Sequence, residues 1–294
     1  MKPRPITFRL LLLLAVTLAA DCATADERMV SSIVPPVNQP PTGQTFRGKI
    51  IWHDLFTDKL KESMDFYKGL LGWEFRKFGP GKRAYYYITD DGLGVGGVTQ
   101  LKTSDGTENQ WVSYISVDNV DATSSYVTQH GGKVLVSPRT FEQLGKVAIF
   151  ADPEGAPFGV MNSSSGDPRE VLPYVGQWVW ADLFALNPIA QVEFYKGIAD
   201  YKAVQNPVTK VDQDYFLQSN NVARAGVLPT PAEDILPNWL PYVRVEDIHT
   251  SITKVTQLAG RIIMHPSQQI FNGKLAIVSD PGGAVFGMIE FKKQ

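Results

Sequence analysis

The chain is poor in the side chains that most metal and thiol chemistry needs. It has one cysteine, Cys22, and four histidines among 294 residues. A single thiol excludes an intrachain disulfide, and no Cys-x-x-Cys pair can hold zinc or cycle redox. No Ser-His-Asp or Cys-His set is suggested either. Charge of one sign is also missing, with a net charge of only −2. That excludes a broad basic surface and, with it, nucleic acid as a partner. Beyond the N-terminus no apolar run is long enough to span a bilayer as a helix.

The N-terminus has what the rest lacks. Lys2, Arg4 and Arg9 precede the uncharged aliphatic run Leu10 to Ala20, and Ala23-Thr24-Ala25 follows. This is the pattern of a secretory signal with cleavage after Ala25. It predicts export, to the periplasm of a bacterium; a buried N-terminal helix is the competing reading. Cys22 stands where bacterial lipoproteins carry their acylated cysteine, but Asp21 and Ala19 depart from that pattern. A soluble periplasmic protein is the expectation, with lipid anchoring at Cys22 as the alternative. Residues 26–47 contain 35-PPVNQPPTGQ-44 and read as a flexible Pro-rich tether.

The rest is an internal duplication. The stretch 51-IWHDLFTDKLKESMDFYKG-69 matches 179-VWADLFALNPIAQVEFYKG-197 at an offset of 128 residues. The same offset aligns 111-WVSYISVDNVDA with 239-WLPYVRVEDIHT, and 145-GKVAIFADPEGAPFGVM with 273-GKLAIVSDPGGAVFGMI. Only the middle, near Gly97 and Gly226, needs a one-residue shift. Two domains are expected, residues 48–163 and 176–291, joined by a polar linker at 164–175.

Within a repeat the pattern alternates strand, helix and three strands, twice. Leu60, Met64, Tyr67 and Leu71 recur at helical spacing, and Gly72 stops the helix. Asp90-Asp91-Gly92 turns one hairpin and Asp152-Pro153-Glu154-Gly155 another. The glycine-rich run 92-GLGVGG-97 has no helix after it, so a hairpin strand is expected rather than a dinucleotide loop.

These paired β-α-β-β-β units, the segment 66-FYKGLLGWEF-75, the helix entry at Val117 to Ala122 and the D-P-E-G hairpin resemble the vicinal oxygen chelate superfamily. Glyoxalase I, bleomycin-resistance proteins and extradiol dioxygenases belong to it. The resemblance implies an α+β fold of two tandem domains. Each would consist of two β-α-β-β-β units forming a cupped mixed sheet with helices outside, the two domains packing on each other. It also implies a divalent metal inside the cup of catalytic members, held by His, Glu or Gln at four strand positions. In this chain those positions fall on Trp52 and Trp180, on Gly159 and Gly287, on Val112 and Leu240, and on a strand offering only Gln100. None of the first three pairs can bind a metal. No cofactor is therefore expected; a divalent metal, with His53 as a weak ligand, is the alternative.

Strand alternation puts Trp52, Asp54 and Phe56 on one face and His53 and Leu55 on the other, under the helix. The second copy has Ala181 where the first has His53, which suits packing. His130, His249 and His265 form no ligand spacing. The expected ligand-binding set is Trp52, Asp54, Phe56, Tyr87 and Tyr114, and Trp180, Asp182, Phe184, Tyr215 and Tyr242. Asp54 and Asp182 are the candidate acid–base groups; a backbone hydrogen bond at the strand end is the alternative for both. An aromatic cavity with few polar anchors suits a small, partly aromatic organic molecule. The competing readings are a superfamily enzyme of lyase, isomerase or dioxygenase type, through a degenerate metal site or an aspartate, and a non-catalytic interaction scaffold.

Overall fold

The structure is a computed structural model. It describes residues 34–80, 84–101, 108–207, 209 and 211–291. The stretch read as a secretory signal, and Cys22 within it, lie outside the described residues.

The first repeat runs β1 (Ile50–Thr57), α1 (Leu60–Leu71), β2 (Glu74–Phe78), β3 (Tyr85–Asp90), β4 (Leu93–Gln100), then β5 (Gln110–Ser116), α2 (Val120–Gln129), β6 (Lys133–Phe141), β7 (Gly145–Ala151) and β8 (Pro157–Ser163). The second repeats it: β9 (Trp178–Ala185), α3 (Pro188–Ala199), β10 (Lys202–Gln205), β11 (Tyr215–Ser219), β12 (Val222–Pro229), β13 (Asn238–Val245), α4 (Ile248–Gln257), β14 (Arg261–Met264), β15 (Leu275–Ser279) and β16 (Val285–Glu290). Each repeat closes one eight-stranded sheet, ordered β2-β3-β4-β1-β5-β8-β7-β6 and β10-β11-β12-β9-β13-β16-β15-β14. In each, the opening strands of the two units pair antiparallel at the centre, and each also pairs parallel with the last strand of its own unit. The α+β tandem expected from the sequence is what forms.

Local chemistry sets the helix ends. Asn119, Asn187 and Asp247 cap α2, α3 and α4 by accepting backbone N–H groups. Gly72 closes α1 at a φ of 79°, and Asp200 takes the same left-handed role after α3.

The helices lie outside the cups, as expected, with one side toward water and the other in a core that the two repeats share. One buried cluster joins Ile115, Val127, Phe150 and Phe158 of the first repeat to Ala181, Phe194, Tyr195 and Trp239 of the second. The other joins Leu55, Phe66, Tyr67, Trp73 and Trp111 to Val243, Val255, Phe286 and Met288. The two sheets thus pack helix face to helix face around a shared core. This corrects the buried face of α1: Ser63, Phe66, Tyr67 and Leu70 are buried, whereas Leu60, Met64 and Leu71 are only partly so. Phe66 turns toward Phe286 of the other repeat, with ring centroids 6.2 Å apart.

The repeated motifs are the fastenings of this core. Tyr195 of the second F-Y-K-G donates to Asp152 of the first D-P-E-G at 3.1 Å and accepts from Trp239 at 2.9 Å. Tyr67 accepts from Trp111 at 2.7 Å. Glu154 receives the backbone N–H groups of Leu186 and Asn187, at 2.7 and 2.8 Å, where α3 begins. The motif glycines Gly69 and Gly197 lie under the side chains of Leu258 and Tyr126 from the facing repeat, where a Cβ would collide. Glycine inside a helix costs roughly 0.5–1 kcal/mol relative to alanine, and here it permits the close crossing.

Candidate functional site

The helix-free face of each sheet forms a cup, and the central strands bring most of the expected residues to it. In the first cup Asp54 lies at the bottom of β1, with only 9% of its surface exposed. Its carboxylate accepts from Trp52 Nε1 at 3.0 Å, Tyr85 hydroxyl at 2.7 Å and Tyr114 hydroxyl at 2.8 Å. Its partners are therefore side chains on the cup face, not backbone at the strand end. Burial raises the Asp54 pKa above the usual carboxylate range, and the three donors work against that rise. Burial also pushes the Tyr85 and Tyr114 hydroxyls well up. They stay protonated donors.

The second cup repeats this with a change. Trp180 Nε1 donates to Asp182 at 2.7 Å, and Tyr242 also bonds its carboxylate. Among the described residues no third donor is seen on Asp182. β11 places Phe216 opposite Gly226, and that glycine is beside Asp182 on β9. In the first cup Tyr87 stands opposite Gly97, beside Asp54. Phe216 is thus the counterpart of Tyr87, and Asp214 that of Tyr85. Burial raises the Asp182 pKa to about 6, and the charge of Asp214 adds to the rise. Asp214 is itself buried and held by Asn206 and Thr209.

Two expected residues take other places. Tyr215 is on the opposite face from Phe216 and packs against the shared core, so it does not belong to the cup. The one-residue shift between the repeats falls in this hairpin, and strand alternation converts one residue of slip into a change of face. Tyr87 is on the cup face, but its hydroxyl donates to Pro36 carbonyl at 2.9 Å. Tyr85 and Phe216 are cup residues that the sequence reading missed; following the alternation back from Gly97 and Gly226 would have found them.

His53 faces away from the cup. It is buried, 3.1 Å from Ser113 Oγ, and its ring lies 4.5 Å from that of Trp178. Burial lowers its pKa to about 3, which keeps the ring neutral. It belongs to the contact between the repeats.

The donor set of the cups does not fit the metal of the superfamily's catalytic members. Among the described residues no three His, Cys, Asp or Glu side chains converge. Gly159 and Gly287 lie beneath the rings of Tyr114 and Tyr242, which leave no room for even a Cβ. Trp52 and Trp180 use their N–H groups on the aspartates. An indole N–H is a donor only and cannot ligate.

The segment expected as a flexible tether differs in its described part. Val34 and Val37 are 1% and 3% exposed, packed with Trp52, Tyr87 and Tyr114 in the first cup. Asn38, Thr42, Gln44 and Phe46 then hydrogen-bond along Ser165, Gly166 and Asp167. Two buried valines and paired backbone groups fix a segment whose composition alone reads as loose.

Comparison with known proteins agrees with this architecture. Residues 49–160 match the family model described as "Glyoxalase/Bleomycin resistance protein/Dioxygenase superfamily". CFP32 of Mycobacterium tuberculosis, a glyoxylase by name, is 24% identical over 255 residues, covering 85% of this chain and 98% of its own. The anthracycline biosynthesis protein DnrV of Streptomyces peucetius is 27% identical over 267 residues, covering 84% and 94%. The Mn(II)-bound glyoxalase from Novosphingobium aromaticivorans superposes with a TM-score of 0.57 at 17% identity, covering 83% of this chain and 82% of that one. Residues 49–160 thus match the glyoxalase, bleomycin resistance protein and dioxygenase superfamily, and the duplicated sheets, the matched motifs and these relatives fit a tandem two-domain layout of the same kind.

Proposed function

We propose that this is an exported binding protein for a small, partly aromatic organic molecule, held in the second cup without a superfamily-type metal. One observation carries the reading. Trp180, Asp182, Phe184 and Phe216 keep exposed surface on a face otherwise walled by Leu240, Tyr242 and Leu275. Aromatic rings offer a flat molecule stacking area, and an aspartate aimed among them offers one strong polar anchor. An amine or hydroxyl would satisfy the acceptor capacity that Tyr85 fills in the first cup. The name of the DnrV relative, an anthracycline biosynthesis protein, supports a planar aromatic ligand class. The test is a thermal-shift screen of planar aromatic amines and phenols. Specific binding raises the melting temperature by mass action, and Trp180→Ala removes the shift. If no compound shifts the wild type, the binding reading falls and an interaction scaffold takes its place.

A second reading is enzymatic. Asp182, with a pKa near 6 and one donor fewer than Asp54, is poised to exchange a proton near neutral pH. It would abstract or return a proton on a ligand seated against Trp180. Turnover of a bound compound, lost in Asp182→Asn while binding persists, would favour this reading. Export rests on the leader at residues 1–25, and cell fractionation tests it. Lipid anchoring at Cys22 would place the protein in the membrane fraction, and Cys22→Ser would release it.

A further inference from the structure

We infer that residues 34–38 are the built-in occupant of the first cup, so that the chain has a single ligand site, the second cup. The duplication supplies an internal control. Trp52, Ile149 and Met161 are buried in the first cup, at 1%, 8% and 0% exposure. Their counterparts Trp180, Ile277 and Ile289 are partly exposed in the second. The residue types are alike, so what differs is the cover. Over the first cup lie Val34 and Val37, joined in the same cluster by Phe141 and Leu144, where the second repeat has Gln269 and Asn272.

The sequence of the cover suits an apolar site. Pro35 and Pro36 have no N–H, so the backbone enters without stranding donors there. The Pro36 carbonyl takes the Tyr87 hydroxyl at 2.9 Å, the polar contact a bound molecule would otherwise supply. Asn38 fastens the far end, its side chain donating to Gly166 carbonyl at 2.6 Å and its N–H to Ser165 Oγ at 3.0 Å.

Among the described residues the second cup has no such cover, and the duplication itself gives the reason. The repeats come into register at Gly48 and Gly176, whose N–H groups bond Ser116 and Arg244. At the same offset of 128 residues, the counterpart of residues 34–38 is 162–166. Those residues form the end of β8 and the start of the linker, and they hold the plug in place. They cannot also cross the second cup.

The inference rests on the reading of the second cup as the ligand site, and one titration separates the two. The probe is 9-aminoacridine, a planar aromatic amine, titrated by fluorescence into the full-length chain and into Val34→Asp/Val37→Asp. Hydrogen exchange at residues 34–38 verifies the opening. The expected result is one equivalent on the wild type and two on the double variant. If the wild type binds none and the variant one, the plug stands and the second-cup reading fails. A wild type that already binds two equivalents overturns the inference, as does an opened variant that gains none. Should the double variant not fold, a protease site inserted at the exposed residues 39–41 opens the cup after folding. The same titration on the cut protein then decides.

Discussion

The two cups descend from one arrangement and have diverged in how much of it they enclose. Both keep a tryptophan N–H and a tyrosine hydroxyl on a central aspartate, and both bury a glycine under that tyrosine. The first adds Tyr85 as a third donor and Val34 and Val37 as a cover, and its residues become core. The second has Asp214 in place of Tyr85, and its aromatic wall keeps contact with solvent. A site completed by its own chain becomes structure. One left a donor short keeps the capacity to recognise something else.

The largest expected effect is on stability. Trp52→Ala removes a fully buried indole and should cost roughly 3–5 kcal/mol by chemical denaturation, while Trp180→Ala, partly exposed already, should cost less. Equal costs would mean that the first cup is no more closed than the second. Next is affinity. Asp182→Asn should weaken binding of an amine ligand at least about tenfold, the order expected when a charged anchor is lost, and Asp54→Asn should leave it unchanged. Isothermal titration of both variants checks this, and an effect of Asp54→Asn would move the site to the first cup. The pH profile follows with its sign. Binding of a cation needs ionised Asp182, so affinity should hold above about pH 6 and fall as pH drops through it.

The fastenings between the repeats set a smaller expectation. Burial raises the Asp152 pKa to about 7 from an unfolded value of 3.8. The folded state then binds the extra proton, so this group's contribution is fully present below about pH 4 and is lost as pH rises toward 7. Asp152→Asn should flatten that part of a melting-temperature-against-pH curve. The smallest effect is Tyr85→Phe, which removes the hydroxyl that donates to Asp54 and accepts from Trp52 Nε1, an N–H that keeps Asp54 as its other acceptor. It should cost about 1 kcal/mol, with no effect on ligand binding.

Much of the fold was legible because duplication prints its own evidence. The matched segments set the repeat, and period-two alternation put Trp52 and Asp54 on one face with His53 on the other. Tyr215 was misread where the copies slip by one residue, since alternation turns a slip of one into the wrong face. The part played by Tyr85 was missed because only the strand pairing shows that its hydroxyl reaches Asp54 across the one intervening strand, β4. The buried face of α1 was read from helical period alone, which cannot know that a second sheet packs on Phe66.

What the sequence determined by itself was the paired architecture, and it set the expectation that the counted strand positions carry no metal-ligating side chains, because both follow from residue types at counted positions. What only the tertiary structure decided was which cup is closed. Val34-Pro35-Pro36-Val37 carries no periodicity and reads as a loose tether until folding sets it against Tyr87 and buries its valines. The physical reason is that burial depends on what a segment meets. For this one the partners lie more than a dozen residues away along the chain.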